Sequence, residues 1–311
     1  MTLAGHTLIV GATGFVGRHT LARALNESAQ VTVLLRREME TDLPRSADHL
    51  ITDLADPAGL ATDRARLKQI TRVIYLAART AKKGGEQIPL LDLLNDNVAA
   101  LVGLIERLGP DVNYFCYVST LDVYGSPAYL PIDEKHPVQP LSPYAASKVA
   151  AEIVCRLMLA ARKIPFSILR LSHVYGPGEA AYEKMIPISL RKALAGEPIE
   201  VFGNGQDERD FVYVGDVARG ILAACSHNAE GVFNVAGGTP TKIIDVARTI
   251  MELIPGAAMT MVASDRQPTS LYFDISRAAA AFEFAPTTSL NEGLSLEISW
   301  FGHQRTFLEN K

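Results

Sequence analysis

The segment Gly11-Ala12-Thr13-Gly14-Phe15-Val16-Gly17 constrains this chain more than any other. It follows a β-branched run at residues 7–10 and opens a helical pattern over 14–26. A turn this tight needs residues without a Cβ where the backbone bends sharply or meets another group closely. The helix behind it offers unpaired N–H groups and a partial positive charge, an arrangement suited to a pyrophosphate. Spaced glycines between strand and helix also occur as plain turns. Here the strand before and the helix after meet the context a dinucleotide fingerprint requires. The spacing is GxxGxxG rather than the commoner GxGxxG.

Further along, apolar runs at 31–35, 73–77 and 114–119 alternate with helical stretches such as 98–108. Residues 166–171 add another strand after a long helix that begins near Tyr144. Nearly continuous apolar runs are the mark of parallel strands covered on both faces. The alternation predicts an α/β fold built on a Rossmann-type doubly wound parallel sheet. From about residue 173 the rhythm changes, and Pro, Gly and charges crowd 173–179 and 196–210. A strand at 233–235 and a helix at 241–253 follow. At 311 residues the chain exceeds the size at which one core stops growing, roughly 250–300 residues. The expected division is a dinucleotide-binding domain over 1–172, with return segments near 211–235. A smaller, mainly substrate-binding α/β domain would occupy 173–311.

The formal net charge of -4 leaves no basic footprint for nucleic acid, although local clusters could still meet a small anion. No apolar run approaches the roughly 18 residues of a membrane span. Cys116, Cys155 and Cys225 lie far apart without CxxC spacing, which suits a reducing cytoplasm. The N-terminus lacks the pattern of a signal peptide. Histidines show no paired ligand spacing, so no metal is expected.

About 20 residues past the glycines, an NAD site would place an acid for the ribose 2′-OH. The second strand instead ends Leu34-Leu35-Arg36-Arg37, with no carboxylate before Glu38. Two guanidiniums there would suit the 2′-phosphate of NADP; ordinary solvated loop arginines would look the same. Asp53-Leu54 is a candidate adenine-edge contact or a turn former. The cofactor reading is therefore NAD or NADP, with Arg36 and Arg37 favouring NADP.

Pro143-Tyr144-Ala145-Ala146-Ser147-Lys148 places Tyr144 and Lys148 on one helix face, one turn apart. A free tyrosine, with a pKa of about 10, is a poor base at neutral pH. A neighbouring ammonium would lower that pKa toward the working range. Such a pair is common by chance, so its surroundings matter. Upstream, Tyr117-Val118-Ser119-Thr120-Leu121-Asp122-Val123-Tyr124-Gly125 is a strand ending in two hydroxyls. Downstream lie Arg170–Gly178 and the run Arg209-Asp210-Phe211-Val212-Tyr213-Val214.

With these motifs together, the chain resembles an extended short-chain dehydrogenase/reductase of the NAD-dependent epimerase/dehydratase family, which acts largely on nucleotide sugars. The likeness runs nearly end to end, through Leu76-Ala77-Ala78, Asn97-Val98, Pro286 and Glu292-Gly293. GxxGxxG is the spacing this family uses. The resemblance implies Thr120, Tyr144 and Lys148 as catalytic residues. It implies Gly11, Thr13, Gly14, Phe15, Val16, Gly17, Asp53, Leu54, Ala77, Ala78 and Asn97 on the cofactor side, together with Tyr144 and Lys148. Arg209 matches the arginine that meets a nucleotide-sugar diphosphate, and Arg266 is the candidate for a second.

Two positions depart from the family pattern. His173 stands where many relatives carry a substrate-touching asparagine, and a histidine there could titrate near neutral pH. Family dehydratases follow the catalytic Thr with Asp-Glu, whereas Thr120 is followed by Leu121-Asp122. That leaves one acid, Asp122, as base or turn cap, and argues against a 4,6-dehydratase. The first functional reading is a nucleotide-sugar epimerase working through a transient keto intermediate. An NADPH-dependent ketoreductase is the alternative, and a non-catalytic dinucleotide-binding protein a third. The helix from Tyr144 to about Lys163 is apolar on two sides, at Val149, Ile153, Val154, Leu157 and Met158. Such a helix needs two partners, so a homodimer is expected, with burial under the C-terminal half as the other option.

Overall fold

The computed structural model describes residues 3–36, 44, 46–54, 64–81 and 86–309. Its centre is a seven-stranded sheet. Across the sheet the strands are Gly231–Val235, Phe166–Leu171, Tyr114–Thr120, Arg72–Tyr75, Leu3–Val10, Ser28–Leu35 and Asp48–Ile51. Every pairing in it is parallel. Arg72–Tyr75 is buried at each position and Tyr114–Thr120 at all but its last, because helices cover both faces. Strand order reverses between Leu3–Val10 and Arg72–Tyr75, and in such sheets ligands bind beyond the carboxyl ends at that crevice.

Two apolar layers clamp the sheet. One gathers Ile9, Ile74, Leu169, Val217 and Ile221 beneath the helices Phe15–Glu27 and Val214–Ser226. The other gathers Leu8, Val73, Tyr75, Leu104, Cys155 and Ile168 beneath Ala100–Arg107 and Pro143–Val154. A third cluster, with Tyr175, Leu190, Val201, Val246 and Ile250, holds the later helices Met185–Leu194, Ile243–Leu253 and Leu290–Glu309. Between these parts the chain crosses back. Phe211–Tyr213 pairs with His173–Tyr175, and Gly231–Val235 then joins the edge of the main sheet.

The helix that carries Tyr144 and Lys148 begins where local chemistry dictates. Ser142 caps it by accepting from Ala145 N at 3.1 Å, and Pro143 takes the first turn, where its missing N–H costs nothing. It runs Pro143–Val154, continues through a π turn at Cys155–Leu159, and ends with Lys163 at a positive φ of 55°.

Two boundaries differ from the expected ones. The helix expected over 98–108 begins at Leu90–Leu94 and passes a π turn at Asn95–Ala99 before Ala100–Arg107. The Asn95-Asp96-Asn97 run is a poor helix former, so tertiary bonds rather than propensity carry the chain through it. Thr241–Lys242 is a short strand antiparallel to Glu208–Arg209, and the helix starts only at Ile243. Among the described residues, no helix is long and apolar enough to cross a membrane. The three cysteines are free and buried.

Candidate active site

The glycine loop is shaped by close backbone contact. Gly11 has φ of 90°, and a Cβ there would lie 2.5 Å from Ala77 N. A Cβ on Gly17 would lie 2.0 Å from Gly11 O. The loop is therefore pressed between the next strand's end and its own helix, and only glycine permits it. Beside it opens a crevice of about 480 Å³ lined by Gly11, Thr13, Gly14, Arg36, Asp53, Leu54, Ala77 and Ala78. Phe15, Val16 and Gly17 face the adjoining cleft. A glycine cradle at a helix N-terminus, continuous with an elongated crevice, fits a dinucleotide.

Arg36 alters the cofactor expectation. Its Nε donates to Asp53 at 3.0 Å and its Nη1 to Asp96 at 3.1 Å. Both carboxylates hold the guanidinium's pKa above its ordinary value, Asp53 more than Asp96. A 2′-phosphate arriving here would have to displace or join two negative charges. Arg37 lies outside the described residues. Asn97 also departs from its expected role, because it lines none of the site's cavities and is 1% exposed. Its Oδ1 accepts from Arg79 N at 2.6 Å, and its Nδ2 donates to Arg79 O at 3.1 Å and Ser147 Oγ at 2.9 Å. It ties the crevice wall to the catalytic helix instead of facing the crevice.

A cleft of about 380 Å³ continues from the crevice and brings Thr120, Asp122, Tyr144, Lys148 and His173 together. Thr120 ends its strand and caps the turn Leu121–Tyr124, accepting from Asp122 N at 3.3 Å and donating to Asp122 Oδ2 at 3.1 Å. The Tyr144 phenol faces it across the same cleft, and Thr120 draws its pKa down slightly. Desolvation, and then the Asp122 charge, hold the Tyr144 phenol above its ordinary pKa. The expectation that Lys148 lowers it is not met in this arrangement. The Lys148 ammonium is turned to the sheet, donating to Val118 O at 2.8 Å and sitting 4.3 Å from the Tyr117 ring centroid. Both strand-end residues line the cleft, but the Ser119 hydroxyl is taken up behind it. Ser119 Oγ donates to Glu152 Oε1 at 2.7 Å, and Glu152 is paired with Arg170 at 2.7 Å.

Beyond the cleft lies a cavity of about 590 Å³. His173, Val174 and Lys184 line both spaces, so the two adjoin. In that cavity Arg209 and Arg266 flank Asp207, at 3.5 and 3.0 Å. Arg209 is also held by Thr269, through the backbone oxygen at 2.9 Å and Oγ1 at 3.0 Å. The near-neutral titration open to a histidine at this position is not what its surroundings favour. Burial first, then the charges of Arg209 and Lys184, pull His173 down to about 4, so its imidazole is neutral at physiological pH.

Lys184, Glu179 and Asp207 belong to this site, although nothing in the sequence pattern singled them out. Lys184 Nζ pairs with the buried Glu179 at 2.9 Å. The two residues stand in an irregular stretch without periodicity, and only the fold turns them inward.

A profile described as the NAD dependent epimerase/dehydratase family matches residues 7–236. A putative UDP-glucose 4-epimerase of Methanocaldococcus jannaschii is 30% identical over 304 residues, covering 94% of this chain and 97% of the relative. A dTDP-glucose 4,6-dehydratase of Xanthomonas campestris is 27% identical over 334 residues, covering 97% and 94%. Among solved structures, UDP-glucuronic acid 4-epimerase from Bacillus cereus, in complex with UDP-glucuronic acid and NAD, matches with a TM-score of 0.80. It is 26% identical and covers 96% of this chain and 99% of its own.

Proposed function

Because the chain belongs to the NAD dependent epimerase/dehydratase family, we propose that it is an NAD-dependent epimerase of a nucleotide sugar. One observation carries this reading. The Thr120–Tyr144–Lys148 cluster sits where the dinucleotide crevice meets a cleft that adjoins the cavity of Arg209 and Arg266. A sugar held by its diphosphate at the arginines would present its ring to the cluster.

Gly11, Thr13 and Gly14 would hold the pyrophosphate, Asp53 and Leu54 the adenine side, and Lys148 the ribose next to the nicotinamide. When bound, the dinucleotide supplies reversible acceptance of a hydride. Thr120 and Tyr144 share the sugar hydroxyl oxygen, and Tyr144 removes its proton as that carbon is oxidised. Tyr144 returns a proton when the keto carbon is reduced on its other face, so the protein ends each cycle as it began. As arranged, the Tyr144 phenol is a proton donor. To act as the base Tyr144 must enter the cycle as the phenolate, which a cationic field favours; Lys148, one turn along the helix, would supply that field once turned from Val118 O toward the phenol. Asp122 is the single acid after Thr120, which speaks against elimination. The ketoreductase alternative drew on Arg36 and Arg37 as phosphate readers; Arg36 is engaged by Asp53 and Asp96, which takes away its share of that support.

Purified protein is expected to carry NAD, identified by mass spectrometry after denaturation, and to interconvert sugar epimers with no dinucleotide added. Stoichiometric consumption of NADPH with a keto sugar would overturn the epimerase reading.

We also propose a homodimer. Leu91 and Leu157 are 69% and 67% exposed on the neighbouring helices Leu90–Leu94 and Pro143–Leu159, with Leu90 and Ile153 beside them. Contiguous apolar surface of this kind marks an interface, and a twofold pairing would cover both helices at once. Leu91→Glu with Leu157→Glu should halve the mass in solution by light scattering. An unchanged mass would place any interface elsewhere. A reducing cytoplasm suits the three free thiols.

A further inference from the structure

We propose that Tyr117 is a positioning residue for Lys148, its ring face and the Val118 carbonyl together holding the buried ammonium in its charged form. The proposal rests on the role given to Lys148 above. Lys148 is 2% exposed, and its Nζ lies 2.8 Å from Val118 O and 4.3 Å from the Tyr117 ring centroid. Among the described residues it makes no ion pair with a carboxylate. A buried charge without such a partner is costly, and burial pulls Lys148 down to about 8. The Glu152 charge favours the ammonium from a distance, and direct contact falls to neutral groups.

The groups around it narrow the choice. On its own helix, Glu152 and Cys155 face the ammonium. The Glu152 carboxylate is engaged by Ser119, Arg156 and Arg170, so only its longer-range field reaches Lys148. Burial raises the Cys155 thiol, which leaves it neutral. Tyr144, one turn back, is a neutral phenol. From the sheet comes Tyr117, itself kept protonated by burial. Beside the Glu152 field, the groups in direct contact with the ammonium are one carbonyl dipole and one aromatic face, whose negative quadrupole attracts a cation more strongly once water is removed.

The ring, rather than its hydroxyl, does this. Tyr117 is 0% exposed, and among the described residues its hydroxyl has no hydrogen-bond partner. An orphaned buried hydroxyl is a cost, so it does not explain a tyrosine here. The ring is fixed by stacking on Tyr75, with centroids 5.9 Å apart and planes at 28°, and Tyr75 stacks in turn on Phe115 at 6.3 Å. This aromatic column sets the height of the face under Lys148.

The test replaces Tyr117 by Phe and then by phenylalanines carrying increasing numbers of fluorines, which drain the ring face at nearly constant shape. The first readout is the Lys148 Cε resonance of ¹³C-lysine-labelled protein, assigned by its loss in Lys148→Met and titrated by NMR. The second is the alkaline limb of turnover. Activity that needs the ammonium is present below the Lys148 pKa and lost as pH rises through it, about 8 in the native protein. Tyr117→Phe should leave both readouts in place. Fluorination should move both progressively to lower pH, by about one unit in all. A flat series with matched thermal stability overturns the proposal. Lys148→Met separates the two readings: an inactive variant beside a flat series rejects the Tyr117 role alone. An active Lys148→Met rejects the catalytic assignment and the proposal with it.

Discussion

Tyr144→Phe is expected to lower the rate of epimerisation by roughly 10²–10⁴-fold, the range that a positioned proton-transfer group supplies. Dinucleotide affinity should hardly change. The substitution removes one oxygen and keeps the ring, so the helix start at Ser142 and Pro143 is untouched. Lys148 stays on Val118 O, because that bond does not involve Tyr144. The glycine cradle is formed by backbone packing of Gly11 and Gly17 and lies on another element. What disappears is the phenol that faces Thr120 in the cleft. Turnover measured with the natural epimer pair, alongside calorimetric titration of the dinucleotide, separates the two effects. Activity close to that of the native protein would remove Tyr144 from the proton-transfer role. A parallel loss of dinucleotide affinity would recast it as a binding residue.

The residues in that argument were visible in the sequence because local rules decide them. A glycine at positive φ and a Ser-Pro helix start depend on a few neighbours in the chain. The parallel sheet showed itself through apolar runs, and the order of its motifs gave the family likeness. Other features depend on contacts between distant segments. Glu179 and Lys184 meet only after an irregular loop folds inward, and Asp207 is placed by pairing with Arg266 across 59 positions. The same reason explains the misread residues. Arg36 resembled a phosphate reader until Asp96 came within 3.1 Å, and Asn97 resembled a cofactor contact until Arg79 and Ser147 took up its amide. Protonation was the least legible property. His173 and Tyr144 depart from their ordinary values mainly through desolvation. Desolvation belongs to the folded surroundings, not to residue type.

Glu152→Ala should produce the largest loss of stability, about 3–5 kcal/mol, as expected when one partner of a buried ion pair is removed. Glu152 is 1% exposed and accepts from Ser119 Oγ at 2.7 Å and from Arg170 at 2.7 and 3.0 Å. Its bond from the half-exposed Arg156 adds little, since such pairs are screened by water. Truncation would leave Arg170, 3% exposed, with only the Tyr124 ring at 4.7 Å, among the described residues, to face its charge. Most of the cost is that stranded guanidinium rather than the lost attraction. The double variant Glu152→Ala, Arg170→Met should therefore be more stable than Glu152→Ala alone in urea unfolding. If it is equally unstable, the cavity and not the unpaired charge sets the loss. Activity should fall in both variants. Ser119 and Arg170 are register partners on adjacent strands, and those strands lead to Thr120 and His173. Glu152 fastens both strands to the helix that carries Tyr144 and Lys148. Without it, each catalytic group keeps its own element, but the distance between elements is no longer held.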